Sequence, residues 1–290
     1  MPKGIWLGFA AFAFYAISDA CAKAMHGALP PYEMGLFGCI FSFLLLPFVW
    51  RPGTTVTDLM IARRQRLWLL RGLLSAVNTL ASVVAFTYLT MAEAFSLIFV
   101  MPLLTTALSV VFLKEKVGTA AWIAILAGFA GVLIVLRPGF RDIGIGQVAG
   151  LACGAIGSVL SVLLRYVGHS EKPITQFGAT QLIPLVVFAI LSVGHFVVPQ
   201  PLQWLIIAGY AVLAGAGSIV LLFAGRLVTA SLLAPVQYSQ ILWGTAFGWV
   251  FFADHVDGLT FVGIAIIVGA GLWLFLPKRA RSTSSAQTGD

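Results

Sequence analysis

The sequence predicts an all-α integral membrane protein, ten transmembrane helices arranged as two inverted five-helix repeats, and three observations carry that prediction. Only 9% of the 290 residues are charged, where soluble proteins carry about 25%, and mean hydropathy is +1.01. Apolar runs of about 20 residues, the length of helix that crosses a ~30 Å hydrocarbon core, recur along the whole chain. A segment closing the first half of the chain also lies over one closing the second.

The predicted spans are 5–24, 31–50, 67–89, 94–113, 119–136, 145–166, 174–198, 203–224, 228–252 and 259–276. Between them, RPGTTVTDLMIARRQR at 51–66 is a linker, and the Ser-rich end RSTSSAQTGD is a tail. The short alternating segments of a membrane β-barrel are absent. The first span, Lys3 followed by IWLGFAAFAFYAIS, has the look of a signal peptide, with ISDACA as a cleavage region. Cleavage would leave nine helices and unbalance the two halves, so the segment is read as a span. Cys21, Cys39 and Cys153 all fall inside spans and form no disulfide framework.

Charge sets the expected orientation. With the N-terminus inside, 14 of the 17 basic residues lie on the inner side, leaving Lys23, Arg137 and Arg141 outside. The positive-inside rule then puts both termini in the cytoplasm. The net charge of +7 is therefore a topology signal, and no nucleic-acid partner is expected.

The internal match runs without a gap. KEKVGTAAWIAILAGFAGVLIVLRP at 114–138 lies over ADHVDGLTFVGIAIIVGAGLWLFLP at 253–277, placing Glu115 on Asp254, Leu133 on Leu272 and Pro138 on Pro277. Five helices per half is odd, so the halves have opposite orientation: residues 1–140 and 141–278, with 279–290 as a cytoplasmic tail. Inverted repeats of this kind build secondary transporters whose site lies at the midplane between the halves.

Polar residues inside spans mark the face turned away from lipid, because an unpaired polar group in hydrocarbon costs several kcal/mol. LAPVQYSQILWG at 233–244 is the densest such stretch, and Gln237, Tyr238, Gln240 and Trp243 are its substrate-binding candidates. Interhelical hydrogen bonding is the alternative role, with Gly244 and Gly248 as a packing seam. Pro235 and, in helix 4, Pro102 each remove a backbone donor and are the helix-break candidates, although the overlay sets Pro102 on Ile241. Helix 3 presents Arg71, Ser75, Asn78 and Ser82 on one face, of which Asn78 and Ser82 are site candidates. Helix 1 presents Gly8, Phe12, Tyr15 and Asp19, with Lys23 four residues beyond. Tyr15 joins the substrate-binding candidates, and Asp19, an intramembrane carboxylate, is the proton-linkage candidate. Phe86 and Tyr88 are further aromatic candidates, while Trp6 and Trp204 suit interfacial belts. Glu33 and Glu93 open helices 2 and 4, where negative charge is favoured. Gly146, Gly150, Gly154, Gly157 and Ser161 form a small-residue packing face on helix 6.

Enzymatic chemistry has no motif to stand on. The four histidines lie in separate segments, and there is no HExxH, Cys-x-x-Cys or Gly-x-x-x-x-Gly-Lys. No metal and no cofactor are expected, and no ring of like side chains suggests a channel.

MPLLTTALSVVFLKEKV running into GTAAWIAILAGFAGVLIVLRPG, with the counterpart LLAPVQYSQILWGTAFGWVFFADHV, resembles the EamA-type transporters of the drug/metabolite transporter superfamily. LRGLLSAVNTLASVVAFTYLTMAEAFSLIFVMPLLT and GAGSIVLLFAGRLVTASLLAPVQYSQ resemble its S-adenosylmethionine and riboflavin branch. The resemblance implies alternating-access transport of a small metabolite across the bacterial cytoplasmic membrane, with lipid as the surrounding partner; a homodimer is compatible with it. Many family members carry an arginine where YEMGLFG places Gly38, which puts that arginine's role in question here. Aromatic and amide candidates with few deep charges favour riboflavin uptake; the alternatives are S-adenosylmethionine exchange and export of amino acids or amphiphilic metabolites.

Overall fold

The computed structural model describes residues 3–50, 52–114, 118–137, 142–167, 171–227 and 234–275. All regular structure among the described residues is helical. The elements are α1 (Lys3–Ala24), α2 (Pro31–Ser42) continuing through a 3₁₀ turn into α3 (Leu46–Val49), α4 (Gln65–Tyr88), α5 (Met91–Ile98), α6 (Met101–Phe112), α7 (Thr119–Leu136), α8 (Ile145–Val167), α9 (Pro173–Ser192), α10 (Pro201–Leu227), α11 (Ser239–Phe252) and α12 (Gly258–Phe275). Among the described residues, seven helical stretches are long and apolar enough to cross a membrane, and Trp122–Leu136 and Gly258–Trp273 are shorter apolar helices. Of the overlaid segments, Glu115, Pro138 and Pro277 lie outside the described residues, as does the tail.

Among the described residues, the second, fourth and ninth sequence-predicted spans are interrupted, the second by the 3₁₀ turn between α2 and α3. The fourth divides at Phe99 and Val100 between α5 and α6. Pro102, at the start of α6, has no N–H to offer the carbonyl of Ile98 one turn back, so the ladder stops there. The ninth opens as a 3₁₀ turn, Ala234–Tyr238, and becomes regular helix only at Ser239; its first residues, 228–233, lie outside the described set.

Packing is organised around a few pairings. Helix α1 lies along α10 and α11; α8 lies along α4 and the broken α5/α6; α2 meets α9, and α7 meets α12. Helix α4 also packs on α9, and α2 on α10. Glycine permits the tightest of these crossings. A Cβ at Gly154 of α8 would sit 3.0 Å from the carbonyl oxygens of both Leu97 and Ile98, at the break after α5. Gly131 and Gly263 each face the other's carbonyl oxygen where α7 and α12 cross. The glycine face of α8 is thus a packing surface, with Gly146 against Leu89 and Gly150 against Leu97.

Both predicted N-terminal glutamates are engaged. Glu93 forms a capping box with Thr90 at the start of α5. Glu33 is fully buried, and one of its carboxylate oxygens accepts the Val197 N–H at 2.9 Å. Gly38 faces the Tyr210 ring, which occupies the space a side chain there would need.

Candidate functional site

Where α1, α4, α5, α6 and the 3₁₀ turn before α11 converge, they leave a cavity of ≈ 420 Å³. Its walls are Phe12, Tyr15 and Asp19 from α1; Asn78, Ser82 and Phe86 from α4; Phe95, Ile98, Phe99, Met101 and Pro102 around the α5/α6 break; and Gln237 and Gln240. Both helix breaks therefore open onto the same space, where backbone groups released from the helical ladder are sheltered from lipid.

Hydrogen bonds fix several of the polar walls. Gln240 Nε2 donates to Asp19 Oδ2 at 3.1 Å, joining α11 to α1. The Tyr15 hydroxyl lies 2.9 Å from Ser218 Oγ on α10, and the Tyr15 ring rests against Gly217. Asn78 Oδ1 is buried with no hydrogen-bond partner. Aromatic rings supply much of the rest, with Phe86 and Phe95 edge to face at 4.9 Å between centroids.

Of the sequence-predicted site residues, the structure brings Tyr15, Asp19, Asn78, Ser82, Pro102, Gln237 and Gln240 together. Tyr238 and Trp243 point elsewhere. Tyr238 is buried with its hydroxyl against Gly271 of α12, and its ring meets Phe99 at 5.4 Å. Trp243, on the outer side of α11, is 38% exposed and stacks on Phe247. Pro235 belongs to the 3₁₀ turn. Tyr88 is exposed, leaving Phe86 as the α4 aromatic in the wall.

Lys23 does not pair with Asp19, despite the i,i+4 spacing. Its Nζ lies 2.7 and 2.8 Å from the two carboxylate oxygens of Asp254 and also donates to the Leu89 carbonyl at 2.9 Å. Asp254 in turn accepts the Met91 N–H at 2.9 Å. Both charged side chains are nearly buried, at 12% and 11% exposure. This junction ties the C-terminal ends of α1, α4 and α11 to the start of α5, one helical turn from Asp19, Phe86 and Phe95 in the cavity wall. Sequence spacing alone pointed to the nearer acid; only the tertiary fold brings Asp254 close.

At the opposite end, Lys172 pairs with Asp58 at 2.9 Å, the Thr175 hydroxyl donates to the Asp58 carbonyl at 2.7 Å, and Trp68 Nε1 donates to the Thr175 carbonyl at 2.9 Å. These contacts clasp the turn Val56–Leu59 onto the start of α9. The hydrogen bonds from Lys172 and from the Thr55 backbone hold the Asp58 carboxyl below its ordinary range. Arg71, the first residue of the α4 polar stripe, lies toward this end, near Trp68 and Gln176 rather than in the main cavity.

Residues 2–137 match the EamA-like transporter family. Over nearly full length the chain is 24% identical to the pseudopaline exporter CntI of Pseudomonas aeruginosa, covering 96% of this chain and 98% of that protein. It is 26% identical to the S-adenosylmethionine uptake transporter of Rickettsia felis (91% and 90% covered) and 26% identical to the riboflavin transporter of Rhizobium johnstonii (97% and 93%). A crystal structure of a protein 19% identical in sequence superposes with a TM-score of 0.64, covering 94% of this chain and 96% of that one, so the two share a fold.

Proposed function

We propose that this chain, whose residues 2–137 match the EamA-like transporter family, is a ten-span secondary transporter. It moves a small, ring-bearing polar metabolite by alternating access through the cavity between two inverted five-helix repeats. The relatives' names support a transporter rather than an enzyme, and the positive-inside count supports a bacterial cytoplasmic membrane setting with both termini inside.

One observation carries the reading. The register that overlays 114–138 on 253–277, extended backward, sets Ile98 on Gln237, Phe99 on Tyr238 and Met101 on Gln240. Ile98, Met101, Gln237 and Gln240 all line the cavity, and the rings of Phe99 and Tyr238 touch each other. The α5/α6 break falls in this register on the passage from 3₁₀ turn to α11. The prolines do not correspond, but the interruptions do.

Helix pairing supports the same symmetry. Exchanging the halves turns α1 on α10 and α11 into α8 on α4 and α5/α6, turns α4 on α9 into α10 on α2, and leaves α2 on α9 and α7 on α12 unchanged. A register of 142 sets Gly8, Phe12, Tyr15, Asp19 and Lys23 on Gly150, Gly154, Gly157, Ser161 and Arg165. The odd number of helices per half makes the relation an inversion, the architecture in which rocking of one half against the other exposes a central site alternately to each side.

In this reading Gln237, Gln240, Asn78, Ser82 and Tyr15 offer hydrogen bonds to the substrate, the phenylalanines stack on its ring, and Asp19 links transport to a proton. Riboflavin and S-adenosylmethionine remain the two substrates to test. The preference for riboflavin rested on the scarcity of deep charge, and the presence of Asp19 in the cavity wall removes that ground. The test is uptake of each labelled compound by proteoliposomes and by cells lacking the corresponding importer. Saturable, protein-dependent movement of either supports the proposal, whereas no movement of either, with the protein verified in the membrane, overturns this substrate assignment.

A further inference from the structure

Resting on the transporter reading, we propose that this cavity selects substrates of net positive charge, borne on a quaternary ammonium or sulfonium group, and that Asp19 is the counter-ion. The argument begins with the charge inventory of the wall. Asp19 is its single acid among the described residues, and no lysine or arginine lines it. The one base close in sequence, Lys23, is directed to Asp254 and the Leu89 carbonyl. Among the described residues, the side-chain hydrogen bond to Asp19 comes from Gln240, a neutral amide. An ionised carboxylate in this setting lacks a cation, and a substrate can supply one.

The rest of the wall has the same electrostatic sense. Asn78 and Ser82 add uncharged polar side chains to the wall and no cation. Phe12, Phe86, Phe95 and Phe99 add ring faces, whose quadrupoles attract cations and are worth more once water is excluded. A neutral polyol would leave the charge of an ionised Asp19 uncompensated. An anion would meet repulsion and no basic partner. A cation attached to a flat ring both pairs with the carboxylate and rests on the aromatic wall.

The test uses purified protein in detergent and two probes matched in shape: S-adenosylmethionine, whose sulfonium gives it a net charge of +1, and S-adenosylhomocysteine, the thioether of zero net charge. Benzyltrimethylammonium serves as an unrelated aromatic cation. Binding is read by intrinsic tryptophan fluorescence and by the ligand-dependent rise in unfolding temperature. The expected result is that the cations bind at least about tenfold more tightly than the thioether. That difference is lost in Asp19→Asn and largely kept in Asp19→Glu, with both variants eluting as monodisperse protein. Equal affinity for the matched pair, undiminished cation binding by Asp19→Asn, or no binding of either cation overturns the proposal. Failure here is separable from failure of the transporter reading: riboflavin uptake by proteoliposomes that persists in Asp19→Asn would discard the counter-ion while leaving transport in place.

Discussion

Removing one partner of the Lys23–Asp254 pair should loosen the end of the cavity that the pair closes. At 2.7 Å the Coulomb attraction at an effective dielectric of about 20 is about 6 kcal/mol before desolvation is counted. Much of that is offset by taking two charges out of water, and the pair's net worth is correspondingly smaller. Its loss from one side is a different matter. With both side chains nearly 90% covered, Lys23→Met strands the Asp254 charge, and Asp254→Asn strands Lys23. Each single change is expected to cost about 3–5 kcal/mol. The double variant Lys23→Met/Asp254→Asn should cost clearly less than the sum, because no charge is left unpaired. Two assays apply: thermal unfolding in detergent, and labelling of a cysteine at Ser82, in a background without Cys21, Cys39 and Cys153, by a membrane-impermeant maleimide. Every 1.4 kcal/mol taken from the closed arrangement alone raises the population of the open one about tenfold, so labelling should accelerate by at least that factor in the singles. Strict additivity of the three variants, or unchanged labelling with unchanged unfolding, would refute the claim that this pair holds the two halves together.

Four further outcomes follow from the geometry. Gln240→Leu should abolish transport while leaving membrane insertion intact, because it removes the amide that holds Asp19; near-normal uptake rates would take Gln240 out of the site. Tyr238→Phe should leave both stability and transport within about 0.5 kcal/mol of the parent, since the buried hydroxyl it deletes has no partner; a marked loss of uptake would show a contact with substrate. Gly154→Val should destabilise by more than about 2 kcal/mol in thermal unfolding, because the added carbons meet the carbonyls of Leu97 and Ile98, which are backbone and cannot swing aside. The clasp between Asp58 and Lys172 should depend on pH. Its carboxyl titrates below the ordinary aspartate range in the folded chain, so its contribution is complete above about pH 4 and is lost as pH falls through the lower folded value. Pepsin cleavage within 52–63 should therefore quicken between pH 4 and pH 2 in the parent, and the change should be smaller in Asp58→Asn.

How much of this was legible in the sequence depends on whether the signal was periodic or tertiary. The spans, the α4 stripe and the α1 stripe are helical periodicity, and Tyr15, Asp19, Asn78 and Ser82 duly share a wall. Phe95, Phe99 and Met101 gave no such signal. They are apolar residues in an apolar segment, and they face the cavity because the helix breaks between α5 and α6. Tyr238 and Trp243 were drawn in by their neighbours Gln237 and Gln240, but a run of adjacent residues on a helix or 3₁₀ turn cannot all point one way. Likewise Lys23 had a plausible acid at i−4, and its true partner lies 231 residues away. Charge pairing along one helix is readable from spacing; pairing across the two halves is not.

Under the proposed inverted repeat, the register between the halves separates what the repeat would supply from what the transport site adds. In the proposed repeat, both halves contribute a broken helix at equivalent positions, and that much would be architecture. At those positions, however, the first half places Ile98 and Met101 where the second places Gln237 and Gln240. On the companion helices, Tyr15 and Asp19 stand where α8 has Gly157 and Ser161. The small residues let α8 close against α4 and Met101, while the large polar ones leave α1 projecting chemistry into the cavity. A symmetric cavity would be wider and blander, lined twice by the same residues. Divergence has instead set one carboxylate and its amide partner on one side and a mainly apolar, aromatic surface on the other, so a bound molecule with distinct charged and ring ends has a single preferred orientation. On the proposed reading, substrate choice resides in the residues that break the symmetry, and alternating access in those that keep it.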